Sequence, residues 1–99
     1  MSFEPWALVG LHAAVRFTVT AEASPGLLPR LIEPFARRDL VPQAFEARRQ
    51  GDTVRVEIRL VAMPAEMVHV VEGNLGAVVG VLSVQREQEV VGRVQRRAA

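Results

Sequence analysis

The chain contains no cysteine, no tyrosine and no lysine. Without cysteine there is no disulfide framework, no thiol nucleophile and no thiolate metal site. Aromatic residues make up only 5% of the 99 positions, and none falls at the outward positions expected on the central strands, Arg16, Thr18, Arg55, Glu57 and Arg59, where bases could stack. Long hydrophobic runs are missing as well. The longest, from Trp6 to Leu11 and from Gly76 to Val84, are strand-sized and fall short of the roughly 18–20 apolar residues that a membrane-crossing helix needs. The stretch Met1 to Leu11 carries Glu4 and no basic residue before its short apolar part, which does not fit a secretory signal. A cytoplasmic address and no membrane partner are therefore expected. Nor does either charge dominate. Twelve basic residues face eleven acidic ones, for a formal charge of +1, and most of the excess sits at the end of the chain in Arg93, Arg96 and Arg97. A nucleic-acid binder would need a sustained basic face.

What is present is a foldable pattern. Hydrophobic residues make up 49% of the chain and charged residues 23%, at a length that suits one domain. Val15, Phe17 and Val19 alternate with Arg16, Thr18 and Thr20, the period of two of a half-buried strand over Ala13 to Thr20. Ser24 before Pro25 predicts a helix start, with the serine hydroxyl as cap and the proline in the first turn. Leu27, Leu28, Leu31, Ile32 and Phe35 then recur at helical spacing, opposite Arg30, Glu33, Arg37 and Arg38. Pro34 has no N–H to offer Arg30, so a kink is expected there.

Leu40 to Arg49 reads as a second strand, Gln50-Gly51-Asp52 as a turn and Thr53 to Val61 as a third strand, together a hairpin. Pro42 places the second strand at a sheet edge. Met63-Pro64-Ala65-Glu66 predicts a second helix start, followed by the stripe Met67, Val68, Val71 and Leu75 up to Gly76. Ala77 to Gln85 reads as the last strand. The order is βαββαβ. Right-handed crossovers place both helices on one face of one antiparallel sheet, an α+β two-layer sandwich of ferredoxin-like type whose other face stays open.

Chemistry-bearing motifs are few. His12 and His69 form no ligand-spaced pair, and no nucleophile–base pair, phosphate loop or dinucleotide fingerprint occurs. Glu46 and Glu57 are expected as neighbours across the hairpin. Arg48, Arg55 and Arg59 surround them, which an ion-pair ladder explains without acid–base catalysis. No enzyme activity, metal or cofactor is indicated. The informative segment is the turn Ala23-Ser24-Pro25-Gly26-Leu27-Leu28. Its glycine permits a close approach, and free amides at a helix start can hold a carboxylate such as that of an amino acid. The same six residues also fit a simple capped helix start.

This turn, the hairpin, and Val56-Glu57-Ile58-Arg59-Leu60-Val61-Ala62-Met63-Pro64 leading to Asn74-Leu75-Gly76-Ala77-Val78-Val79-Gly80-Val81 together resemble an ACT domain. More narrowly, they resemble the short small subunits of acetolactate synthase. The resemblance covers about Ala13 to Gln85 and divides the chain into an N-terminal extension (1–12), the ACT-like domain (13–86) and a charged tail (87–99). It implies an ACT-like sandwich and homodimers joined through sheet edges or helices. It further implies allosteric binding of a small amino acid near the first turn, at Ala23, Ser24, Pro25, Gly26, Leu27 and Leu28, and a catalytic subunit of a biosynthetic enzyme as partner. Branched-chain amino acid biosynthesis is the setting it suggests. Effector-sensitive relatives carry a polar residue, often asparagine, just ahead of the turn glycine; here that position is Ala23. A dimerisation or assembly module without a ligand is therefore the alternative, with a small dimeric ferredoxin-like enzyme behind it. The apolar residues Trp6, Leu8, Val9 and Leu11 are expected to be buried. The segment from Glu87 onward is expected to extend the last strand or to pack on a partner.

Overall fold

A computed structural model describes residues 10–93. The expected burial of Trp6, Leu8 and Val9 lies outside these residues. The elements are β1 (Leu11–Glu22), α1 (Leu27–Ala36), β2 (Ala44–Gln50), β3 (Thr53–Pro64), a single 3-10 turn (Ala65–Met67), α2 (Val68–Gly76) and β4 (Val81–Arg93). The strands form one antiparallel sheet in the order β2-β3-β1-β4. This is the βαββαβ sandwich expected from the alternation.

The core is the layer between the sheet and the helices. Val15, Phe17 and Val19 of β1 stand opposite Leu60, Ile58 and Val56 of β3, and all six are buried with Leu27, Leu31 and Phe35 of α1 and Val68, Val71 and Leu75 of α2. Phe17 and Phe35 meet edge to face, with ring centroids 5.9 Å apart. No polar or charged side chain is buried among the described residues, so the interior between the layers is held by apolar contact, with an ion pair between Arg86 of β4 and Glu72 of α2 at its margin.

Element ends depart from expectation where the period of two breaks. Ala13 pairs with Met63 and Val15 with Leu60, so β3 has one residue more than β1 across that step. The resulting bulge turns both Val61 and Ala62 outward and brings Met63 back into the core. Met63-Pro64 is therefore strand, and the helix opens only after the 3-10 turn. β2 starts at Ala44, and Pro42 lies ahead of it. The strand is at the sheet edge as expected, but the proline is not part of it. Between α2 and β4 the chain turns through Gly80, whose φ of +94° lies in the left-handed region, so the last strand begins at Val81 rather than Ala77. β4 then continues to Arg93, paired with Leu11. α1 runs through Pro34 without a break between Leu27 and Ala36. The buried ring packs into the core, and Arg38 Nη1 donates to the Pro34 carbonyl at 3.1 Å.

Candidate functional site

The turn between β1 and α1 is built by its own chemistry. Proline forces the residue ahead of it into an extended conformation and presets its own φ for the first central position of a turn. Gly26 follows with φ −93° and ψ 4°, the second central position of a type I turn. The Leu27 amide closes it by donating to the Ser24 carbonyl at 3.2 Å. Ser24 is thus the first residue of a turn, not the helix cap. Gly26 occupies the cap position, and no side chain caps the helix. The Leu27 amide is consumed by the turn, and Pro29 has none. The Leu28 amide is left with no backbone acceptor among the described residues.

This turn is pinned against the rest of the sheet. The Ala23 amide donates to Asp52 O at 2.9 Å, and the Glu22 amide to Gly80 O at 2.8 Å. The first bond brings the turn beside the β2–β3 hairpin. Gly51, with φ +62°, and Asp52 form its two-residue loop between the paired Gln50 and Thr53. A positive φ at the first central residue alone is the pattern of a type II′ turn.

A groove of about 550 Å³ opens between α1 and the hairpin. Ala23, Ser24, Pro25, Leu27 and Leu28 line one wall, and Ala47, Arg49 and Val54 the other. Five of the six residues expected from the sequence therefore share one concavity. Gly26 does not line it. The guanidinium of Arg30 lies over Gly26, with Nη2 3.1 Å from where a Cβ would stand. Because φ at Gly26 is negative, a side chain is compatible with the backbone and would meet only the flexible end of Arg30. Gly26→Val therefore tests where Arg30 sits rather than the groove.

Arg49 supplies the charge that the turn lacks. Its Nε donates to Gly51 O at 2.9 Å, which orients the guanidinium while leaving its terminal nitrogens available. Arg49 pairs with Val54, and Ala47 with Val56, so both project from the helix-side face of β2. Leu28 is 39% exposed and Ala47 is exposed, so this end of the sheet is incompletely covered. The hairpin register places Ala47 and Arg49 on the same face as the half-buried Val54 and the buried Val56. The combination of aliphatic walls, one guanidinium and one unpartnered amide suits a small carboxylate with an apolar side chain.

The remaining candidates do not converge. His12 lies half-buried in β1 and His69 exposed on α2, and no group of three or more His, Cys, Asp or Glu gathers among the described residues. No helix there is long and apolar enough to cross a membrane.

Known proteins share this architecture. The ACT domain of GTP pyrophosphokinase from Chlorobium tepidum has a TM-score of 0.66 at 12% identity, over 75% of this chain and 96% of that one. A homoserine dehydrogenase from Thiobacillus denitrificans has a TM-score of 0.67 at 17% identity, over 82% of this chain and 18% of that one. The C-terminal domain of the MgtC protein from Mycobacterium tuberculosis has a TM-score of 0.62 at 14% identity, over 87% of this chain and 96% of that one. At these identities the likeness is one of fold. No curated protein matches the chain. Its residues 10–91 match the family model described as an ACT-like domain, and the chain belongs to the ACT-like domain family.

Proposed function

We propose that this protein is a regulatory ACT-like domain that forms a homodimer and binds a small aliphatic amino acid in the groove between α1 and the β2–β3 hairpin. The observation that carries this reading is the groove itself: Leu27, Leu28, Ala47 and Val54 offer apolar walls, and Arg49 offers a cation to a carboxylate. The family match supports the regulatory reading, and the sequence resemblance supports a biosynthetic enzyme such as acetolactate synthase as the partner whose activity it modulates.

The test is isothermal titration calorimetry with valine, leucine and isoleucine on the wild type and on Arg49→Gln. Micromolar to millimolar binding that weakens at least tenfold in Arg49→Gln is expected. Absence of binding to the wild type, or binding unchanged in the variant, overturns the reading.

Two observations favour a second reading, an assembly module without effector. Ala23 offers no side-chain polar group, and Arg30 fills the space above Gly26. Under this reading no amino acid binds, and the domain acts on its partner enzyme by association alone.

A further inference from the structure

The groove between α1 and the hairpin is electrostatically one-sided. Arg49 carries the only charge on its walls, Ser24 is the only other lining residue with a polar side chain, and no carboxylate of the described residues lines either wall. Nor does any carboxylate lie within ion-pair distance of Arg49 among the described residues. Just outside, the Arg30 guanidinium lies over Gly26, and the exposed Glu22 and Asp52 stand off the walls.

An amino acid brings two opposite charges to such a surface. Its carboxylate is drawn to the Arg49 guanidinium, while the ammonium on the adjacent carbon is repelled by that same guanidinium and finds no carboxylate on the walls. The Ser24 hydroxyl does not discriminate, because it accepts from an ammonium as readily as it donates to an oxygen. A ligand of the same carbon skeleton without the ammonium keeps the attraction, loses the repulsion and arrives as a monoanion. Its branched end meets the same apolar walls, Leu27, Leu28, Ala47 and Val54.

We propose that the groove takes a short branched-chain 2-oxo acid more tightly than the amino acid of the same carbon skeleton. This rests on the groove being the ligand site proposed above, and it adds a second ligand class and a form of regulation: the two acids compete for Arg49 and the same walls, so the domain responds to their balance. Arg49 is exposed, so the preference is open to screening. The Debye length falls from about 30 Å at 0.01 M salt to about 3 Å at 1 M, and the preference should narrow over that range while the apolar contribution persists.

The test is calorimetric titration with three probes that share one skeleton, valine, 3-methyl-2-oxobutanoate and 3-methylbutanoate, on the wild type, Arg49→Gln and Asp52→Asn, at low and high salt. In the wild type at low salt the 2-oxo acid is expected to bind about threefold or more tightly than valine, and 3-methylbutanoate to side with the 2-oxo acid. The preference should vanish in Arg49→Gln and shrink at high salt, and Asp52→Asn should leave the affinity for valine unchanged. Valine binding as tightly as the 2-oxo acid, or more tightly, overturns the preference but leaves the groove as the site, provided that Arg49→Gln weakens it. A preference retained in Arg49→Gln, 3-methylbutanoate binding no better than valine, or valine binding weakened by Asp52→Asn also overturns it, because each removes the guanidinium's charge as the cause. Failure of all three probes to bind the wild type overturns both the preference and the site beneath it.

Discussion

Phe35 closes the core from α1 by meeting the edge of Phe17, and both rings are fully buried. Phe35→Ala removes a ring from a layer that contains no polar group to rearrange around a void, so a loss of about 3–5 kcal/mol is expected in chemical denaturation. On the open face, Arg16 tests an electrostatic point. Its hydrogen bond to Glu87, reinforced by the charges of Glu87 and Glu57 against a small desolvation effect, raises its pKa above the ordinary arginine value. A raised folded pKa means that the stabilisation is complete below the unfolded pKa and is lost only as pH rises through the folded one. Both lie far above neutrality. The destabilisation caused by Arg16→Gln should therefore be the same at pH 6 and pH 9, and smaller in high salt because the pair is exposed; a cost that changes between those pH values contradicts this assignment.

Among the elements, the strands and helices are legible from periodicity, and so are the ends that a turn or glycine marks, Thr53 after Gln50-Gly51-Asp52 and Gly76 at the end of α2; the other ends are not. Val54, Val56, Ile58 and Leu60 alternate faultlessly, but the bulge at Val61 and Ala62 has no sequence mark, because two outward residues in a row read as the end of a strand. The start of α1 was misplaced for a related reason. Ser24-Pro25 fits both a capped helix and a type I turn, and what distinguishes them is the bond from the Leu27 amide to Ser24 O. The turn side of the groove could be read from the sequence, because glycine, proline and aliphatic residues cluster there. Arg49 could not, because its role depends on which face of β2 the helices leave uncovered. Gly80 is the clearest backbone requirement: φ is +94°, and a Cβ would stand 3.8 Å from Glu22 O, whose amide in turn bonds Gly80 O. Gly80→Ala should cost about 1–2 kcal/mol by forcing a side chain into the left-handed region; an unchanged denaturation midpoint would show that the turn relaxes instead.

For the whole molecule, the two edges of the sheet differ. β4 is interrupted at Leu82 and Val91, where its register with β1 shifts, and bulges of this kind blunt an edge against pairing. β2 pairs with β3 without a shift from Ala44 to Gln50, and its outer edge is regular. If the proposed homodimer joins two copies antiparallel through β2, the groove stands beside the two-fold axis, next to Ala47 and Arg49 of both chains. Because the chain has no cysteine, Ala47→Cys introduces a unique thiol at the middle of β2, and oxidation should link two chains; a variant that stays unlinked while light scattering reports a dimer would move the interface elsewhere. The decisive measurement is an amide-resolved NMR titration of the wild type with valine. Shifts concentrated at Ala23, Leu28, Ala47 and Arg49, saturating with a single dissociation constant, are expected. Saturable shifts confined to other residues, or none up to tens of millimolar valine, would contradict the groove as an amino-acid site and leave the assembly module as the function of this domain.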